Sequence, residues 1–349
     1  MVASTHRTEQ IQDSWLIGKM LGKGMFGHVY EVTHKGSHQV EAVKIMNTKE
    51  PKSRHSARNE ARIWERIGQH RNVVKLYHIY EDQDEMFFVM DKCENTVLSR
   101  FENGLRMREM APLLQQMLSG LAHIHQKSVV HRDIKLDNVL CVGKGIECIK
   151  ICDFGLAAVV PVGKEVFGGP CGTPPYMSPE MVTGSYNTRT DIWSTGVCCF
   201  YLCSGGKFPY TPDRHSAKDM KASIRDGLQL KNFDAPEYVD IEAKKFTIEL
   251  LNRTSANRPT AEEALQHSFL RSIYCPDNSE ALSDKSTVAS ETDFQACKQH
   301  VSIISDFQDV GEESFSITNV KSMVTKRNCV PLELMSQNDV EVAPIILEL

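Results

Sequence analysis

The stretch that most constrains this chain is His131-Arg132-Asp133-Ile134-Lys135-Leu136-Asp137-Asn138, polar or charged over most of its length. Val129-Val130 precede it and Val139-Leu140 follow it, so it reads as a short loop clamped between two buried, strand-like segments. A frame that is rigid on both sides gathers Asp133, Lys135 and Asn138 and keeps them together. That is how a functional site is built.

The chain has 349 residues, more than one hydrophobic core usually supports, so two lobes or two domains are expected. Its net charge of -5 is unevenly placed. Residues 271–349 hold 13 acidic against 6 basic residues, a balance of -7, which leaves about +2 for the rest. Neither part is basic enough to suggest nucleic-acid binding. No run of 18 apolar residues exists, so a membrane-spanning helix is not expected. Met1 to Asp13 lack the apolar core of a signal peptide. Val2 is not the glycine of a myristoylation site, and Ile346 to Leu349 form no prenylation box. The 11 cysteines follow no framework spacing, which predicts reduced thiols and a cytoplasmic and/or nuclear location.

Leu21 to Val29 read L-G-K-G-M-F-G-H-V. A bare G-x-G-x-x-G also fits dinucleotide-binding folds, but there the glycines open a helix. Here Val29 to Thr33 continue with strand-like residues into a turn at His34 to Ser37, and a second strand follows from Val40 to Ile45. Gly22, Gly24 and Gly27 are therefore expected in a hairpin whose bare backbone can approach phosphates. On the second strand Ala42 and Lys44 share a face. A charged helix over Arg54 to Ile67 offers Glu60 as a partner for Lys44; Ile63, Ile67 and Trp64 place its packing face nearer Glu60 than the competitor Glu65.

Strands are then expected over Val73 to Tyr80 and Met86 to Met90, joined by the acidic turn Glu81 to Glu85. The apolar spacing Leu113, Met117, Leu121 and Ile124 predicts a helix over Glu109 to His125 that delivers the chain to the polar loop. His123 and His125 are not expected to bind metal with His131, because no Cys, Asp or Glu completes such a cluster. Beyond the loop, Cys148 to Cys152 read as a strand ending at Asp153-Phe154-Gly155, fifteen residues after Asn138. A carboxylate at Asp153 and an amide at Asn138 supply the hard oxygen ligands that Mg²⁺ prefers. From Asp191 the next helix is apolar nearly all round, so Cys198, Cys199 and Cys203 are expected in the core.

The run from His131 to Asn138 matches H-R-D-L-x-x-x-N with Ile134 for Leu, Glu41 to Ile45 resemble V-A-I-K, and Ser178-Pro179-Glu180 resemble A-P-E. With Asp153-Phe154-Gly155 and the glycines, the chain resembles protein kinases of the serine/threonine type. The resemblance extends over residues 15–270, and most closely to calcium/calmodulin-kinase-like, checkpoint and polo-like members.

The resemblance implies an α+β bilobal protein kinase fold. A small antiparallel β lobe with one helix (15–90) and a hinge (91–94) would lead into a larger, mainly α-helical lobe (95–270). Residues 1–14 would be an N-terminal extension. Residues 271–349, acidic and rich in Ser and Thr, would be a mostly disordered or regulatory tail, or else a docking element for a partner. It implies ATP held by Leu21, Gly22, Gly24, Phe26, Gly27, Val29, Ala42, Lys44, Glu60, Met90, Cys93 and Leu140, with Met90 as gatekeeper. Mg²⁺, with Mn²⁺ as an alternative, would sit on Asn138 and Asp153. It also implies catalysis by Asp133, Lys135, Asn138 and Thr173, with Thr173 bridging Asp133 and Lys135 as in enzymes that phosphorylate serine and threonine. Arg258 would pair with Glu180. Ser/Thr protein substrates, a monomer, and a signalling or cell-cycle and checkpoint role complete the expectation. The competing reading is a pseudokinase scaffold, which predicts loss of Lys44, Asp133 or Asp153; none is lost.

Two departures from the family pattern carry information. From Leu156 to Gly172 there is no Ser, Thr or Tyr, so activation by phosphorylating a hydroxyl within that run is chemically impossible. Arg132 is present, but Ala158 stands where a second phosphate-holding basic residue is expected, and Glu165 is predicted to offer a carboxylate to Arg132. The three places where kinases keep acids for an upstream arginine hold Val97, Asp137 and Tyr201, which predicts a weak basic preference.

Overall fold

The computed structural model describes residues 5–7, 9–24, 27–161, 163–210, 216–227 and 239–271. By contact the chain divides after Gly311, and every described residue belongs to the first unit. The expected tail over 271–349 lies, from residue 272 on, outside the described residues, as does Phe26.

The first lobe is a six-stranded sheet. Its strands are β1 (Thr5–Arg7), β2 (Trp15–Gly24), β3 (Gly27–His34), β4 (Val40–Asn47), β5 (Leu76–Glu81) and β6 (Glu85–Met90), with α1 (Ile11–Ser14) and α2 (Pro51–Ile67) between them. The order is β1-β5-β6-β4-β3-β2, antiparallel except that β1 runs parallel to β5. The segment before residue 15 is thus more than an extension. It adds an edge strand, and Ile11 and Trp15 cover one face of the sheet with Val32, Val43, Tyr80, Phe87 and Val89. The Trp15 indole N–H donates to the Tyr80 hydroxyl at 3.0 Å, so the polar tip of a buried aromatic is satisfied.

The opposite face packs on α2. Pro51 is well placed in its first turn, where its missing N–H costs nothing. Ala57, Glu60, Ala61, Trp64 and Ile67 recur at helical spacing and are all buried. The expected strand from Val73 begins only at Leu76. Val73 bridges Ile151, and the Val74 N–H donates to the Ile151 carbonyl at 2.9 Å. These two valines are apolar because they join the lobes, a burial that composition cannot tell from a strand.

The second lobe begins with β7 (Asn95–Thr96) and α3 (Val97–Glu102), then α4 (Met107–Gln126), whose Leu113, Met117, Leu121 and Ile124 are fully buried. Short strands follow: β8 (Val129–Val130), β9 (Val139–Cys141), β10 (Ile149–Ile151), β11 (Ala158–Val159), β12 (Val166–Phe167) and β13 (Ser185–Tyr186). They pair as β10-β9-β7, β11-β8 and β12-β13. Helix α5 (Pro179–Thr183) precedes β13. The remaining helices are α6 (Arg189–Cys203), α7 (Ala217–Asp226), α8 (Ile241–Leu250), α9 (Ala261–Ala264) and α10 (Ser268–Arg271). Every residue of α6 from Thr190 to Cys203 is buried, which explains a helix apolar all round. Arg258, wholly buried, donates to both oxygens of Glu180 at 2.6 and 3.2 Å and lies over the Trp193 ring.

Candidate active site

β8 and β9 hold the polar loop at both ends. Its centre is organised by Thr173, whose backbone N–H and hydroxyl both donate to Asp133 Oδ1, at 2.9 and 2.8 Å. Lys135 Nζ donates to Thr173 Oγ1 at 2.8 Å and lies 3.3 Å from Asp133 Oδ2. The Asn138 amide nitrogen donates to the Asp133 carbonyl and to Oδ2, at 2.9 and 3.0 Å. A carboxylate held by an amide, a hydroxyl and an ammonium has one orientation, the preorganisation that a proton-accepting group needs.

The backbone at this site takes positive φ in three places, two of them strained. Arg132 and Asp153 have φ of 72° and 65°, a region that side-chain-bearing residues visit at a cost of about 1–3 kcal/mol. Gly172 has φ of 92°, and a Cβ there would strike the Arg132 carbonyl and lie 3.3 Å from Asp133 Oδ1. Only glycine lets this chain pass so close to the loop. Asp191, at the start of α6, holds the loop from below. Its two oxygens accept from the backbone N–H groups of His131 and Arg132, at 2.8 and 2.9 Å, and it meets His125 Nε2 at 2.9 Å.

Across the cleft, Lys44 on β4 reaches Glu60 on α2 at 2.7 Å and Asp153 at 2.9 Å. Burial alone would lower the ammonium's pKa, but the two carboxylates outweigh it and raise it, so Lys44 stays charged. Burial alone would raise Asp153, yet Lys44 holds its carboxyl below the usual range. Glu65 instead meets His6 at 3.2 Å. Phe154 is fully buried between Trp64 of α2 and His131 of the loop, with ring centroids 5.5 and 5.3 Å away. These packed rings couple the position of α2 to that of the loop.

Ala42 lies opposite Met90 and Val29 opposite Lys44 in the sheet. Leu21 is exposed, while Cys93 and Leu140 are half-buried. Gly22 and Gly24 stand at the end of β2 where a Cβ would meet nothing nearer than 3.8 Å, leaving open space over their backbone. Gly27 differs, since a Cβ there would strike the Ile45 carbonyl; its glycine is required by strand packing. The hinge is fixed by Asp91, which accepts from the Lys75 N–H, the Tyr77 hydroxyl and Lys150 Nζ at 2.8, 2.7 and 2.7 Å. Burial first, and Asp91 second, push the Cys93 thiol up to about 12, so it stays neutral.

The donor set fits Mg²⁺. The Asn138 amide nitrogen is committed to Asp133, so its side-chain oxygen is the atom that would face a metal. The Cys152 N–H donates to the Asn138 carbonyl at 3.0 Å, tying the residue before Asp153 to Asn138. Among the described residues no cluster of three His, Cys, Asp or Glu could hold a metal unaided. A Mg²⁺ ion held by Asn138 and Asp153 would take its remaining oxygens from water or phosphate.

One expectation fails. Glu165 does not reach Arg132; its carboxylate accepts from the Ser185 hydroxyl, because β12–β13 pairing carries the residue before Val166 toward Ser185. Arg132 donates instead to the Leu156 carbonyl and, at 3.0 Å, to the Tyr186 hydroxyl. Tyr186 carries no motif that would have singled it out. Ala158 is buried in β11 opposite Val130. Val97 and Tyr201 are buried too. Sequence reasoning also missed Glu102 at the end of α3, whose carboxyl is pushed up first by burial and then by Asp137.

The profile of the protein kinase domain matches residues 15–270. CDPK-related kinase 4 of Arabidopsis thaliana is 32% identical over 274 residues, 75% of this chain and 46% of its own length. Serine/threonine-protein kinase PLK2 of Rattus norvegicus is 29% identical over 267 residues, 74% and 38% of the two chains. The chain spans less than half the length of the curated relatives it matches. The twitchin kinase region from C. elegans superposes with a TM-score of 0.73 at 22% identity, covering 86% of this chain and 53% of that one, and shares the fold. The α+β fold, the profile match and these serine/threonine kinase relatives place the chain in the protein kinase family.

Proposed function

We propose that the chain is an ATP-dependent serine/threonine protein kinase whose domain occupies residues 15–270. The observation that carries this reading is the Asp133–Thr173–Lys135 triangle, with both Thr173 contacts to Asp133 and the Lys135 contact between 2.8 and 2.9 Å. Asp133 accepts the proton of a serine or threonine hydroxyl and aims its oxygen along the line of attack. Lys135 offsets charge on the transferring phosphoryl group. Lys44, steadied by Glu60, orients the nucleotide phosphates, and Gly22, Gly24 and Gly27 close over them. Leu21, Val29, Ala42, Met90, Cys93 and Leu140 receive the adenine. Mg²⁺ or Mn²⁺, held by Asn138 and Asp153, would neutralise negative charge on the phosphates.

The hydroxyl-free run from Leu156 to Gly172 supports activity without phosphorylation in that segment. Substrates are proteins bearing Ser or Thr, with a weak preference for basic sequences at Asp137. We place the protein in the cytoplasm and/or nucleus as a monomer with a signalling, cell-cycle or checkpoint role, and the segment from residue 271 as a regulatory or docking tail. Incorporation of radiolabelled phosphate into a serine or threonine peptide is the test. Asp133→Asn should abolish it while ATP analogue binding persists, and equal incorporation by both proteins would sink the assignment.

A further inference from the structure

Arg132 occupies the position before Asp133, and its guanidinium joins three segments. It donates to the Leu156 carbonyl, just after Asp153-Phe154-Gly155, and to the hydroxyl of Tyr186 in β13. Tyr186 is 1% exposed, and its hydroxyl lies 3.7 Å from Cys171 Sγ. The strand that carries it also grips the hydroxyl-free segment. Val166 pairs with Tyr186 and Phe167 with Ser185, the Gly168 N–H donates to the Gly184 carbonyl at 3.1 Å, and Glu165 accepts from Ser185. One short strand therefore touches the segment at its middle and, through Arg132, at its start. Arg132 is half-buried, and a guanidinium that loses an acceptor there loses a charge-assisted hydrogen bond that water only partly replaces, so loss of the tyrosine hydroxyl is felt at Arg132.

We propose that Tyr186 is a positioning residue for phosphoryl transfer: its hydroxyl holds Arg132, and with the β12–β13 ribbon it keeps residues 156–161 and 163–172 in place around Asp133 without any phosphate. The inference rests on the kinase reading above and adds the means by which the segment is held. Tyr186 touches no reacting group and acts through Arg132. The order it supplies is permanent, because neither partner carries a removable group.

The test compares phosphatase-treated full-length wild type with Tyr186→Phe, Arg132→Gln and the double variant, by steady-state kinetics and backbone hydrogen exchange. Loss of one bond to a charged group should lower kcat by about tenfold and move KM for ATP by less than about twofold. Exchange over residues 156–172 should speed up in Tyr186→Phe, and the double variant should be no slower than Arg132→Gln alone. Wild-type kcat and exchange in Tyr186→Phe, or losses that multiply in the double variant, would overturn the proposal. Should Tyr186→Phe not fold at the assay temperature, Glu165→Ala removes the acceptor of the Ser185 hydroxyl, loosens the ribbon alone and should speed exchange at residues 166–168; unchanged exchange would overturn it. A wild type that transfers no phosphate removes the kinase reading, while the exchange comparison still decides the role of Tyr186.

Discussion

Thr173 and Asp133 are joined twice, by a backbone N–H at 2.9 Å and a hydroxyl at 2.8 Å that end on the same carboxylate oxygen. The hydroxyl also accepts from Lys135, so one atom sets the direction of both charged groups. Thr173→Val keeps the shape and the backbone contact but removes the hydroxyl, and we expect kcat to fall by about 10²-fold with little change in KM for ATP. Thr173→Ser should recover most of the rate. Peptide phosphorylation under steady state checks both, and a valine variant with wild-type kcat would contradict the geometry.

Lys44 and Glu60 form a pair 2.7 Å apart in which Glu60 is 1% exposed. Removing one member of a buried pair strands the other charge at a cost of about 3–5 kcal/mol. Lys44→Met should therefore lose activity and also unfold at lower urea concentration. Lys44→Met combined with Glu60→Leu should regain stability and not activity. If the double variant is no more stable than the single one, the pair does not carry the electrostatic penalty assigned to it.

Asp191 is wholly buried beneath the catalytic loop. Burial alone would raise its carboxyl, but the bond to His125, with smaller help from His131, holds it below the usual 3.8. A carboxyl lowered in the folded state contributes stability that is fully present above its unfolded pKa. That stability is lost as pH falls through the lower, folded value. Unfolding free energy should therefore drop on acidification below about pH 4. Asp191→Asn should be less stable near neutrality and show a shallower acid slope. Urea titrations between about pH 3 and 7 would show this, and parallel profiles for the two proteins would remove Asp191 as the cause.

Much of the site is legible in the residues because it lies in short, rigid runs. Asp133, Lys135 and Asn138 fall within one loop, and two apolar flanks are enough to predict that they converge. Glu60 is legible for a similar reason, since a helix whose apolar residues recur at 57, 61, 64 and 67 turns position 60 inward. The misreadings come from contacts between segments far apart. Val73 and Val74 look like the start of a strand, yet they bury against β10. Glu165 has a suitable charge for Arg132, but a two-residue ribbon turns it toward Ser185. The segment before residue 15 shows no strand pattern strong enough to announce that it pairs with β5.

The amino-acid sequence by itself therefore determines the kind of lobes, the order of elements and which polar groups converge on the loop. Those follow from local periodicity and from motifs a few residues long. Only the tertiary structure decides what holds the groups in place. Tyr186 lies 54 residues from Arg132, and Lys44 lies 109 residues from Asp153. Hydrogen bonds over such separations depend on strand pairing and side-chain direction, which no local pattern encodes, so the acceptor of Arg132 becomes visible only once β12 and β13 are paired.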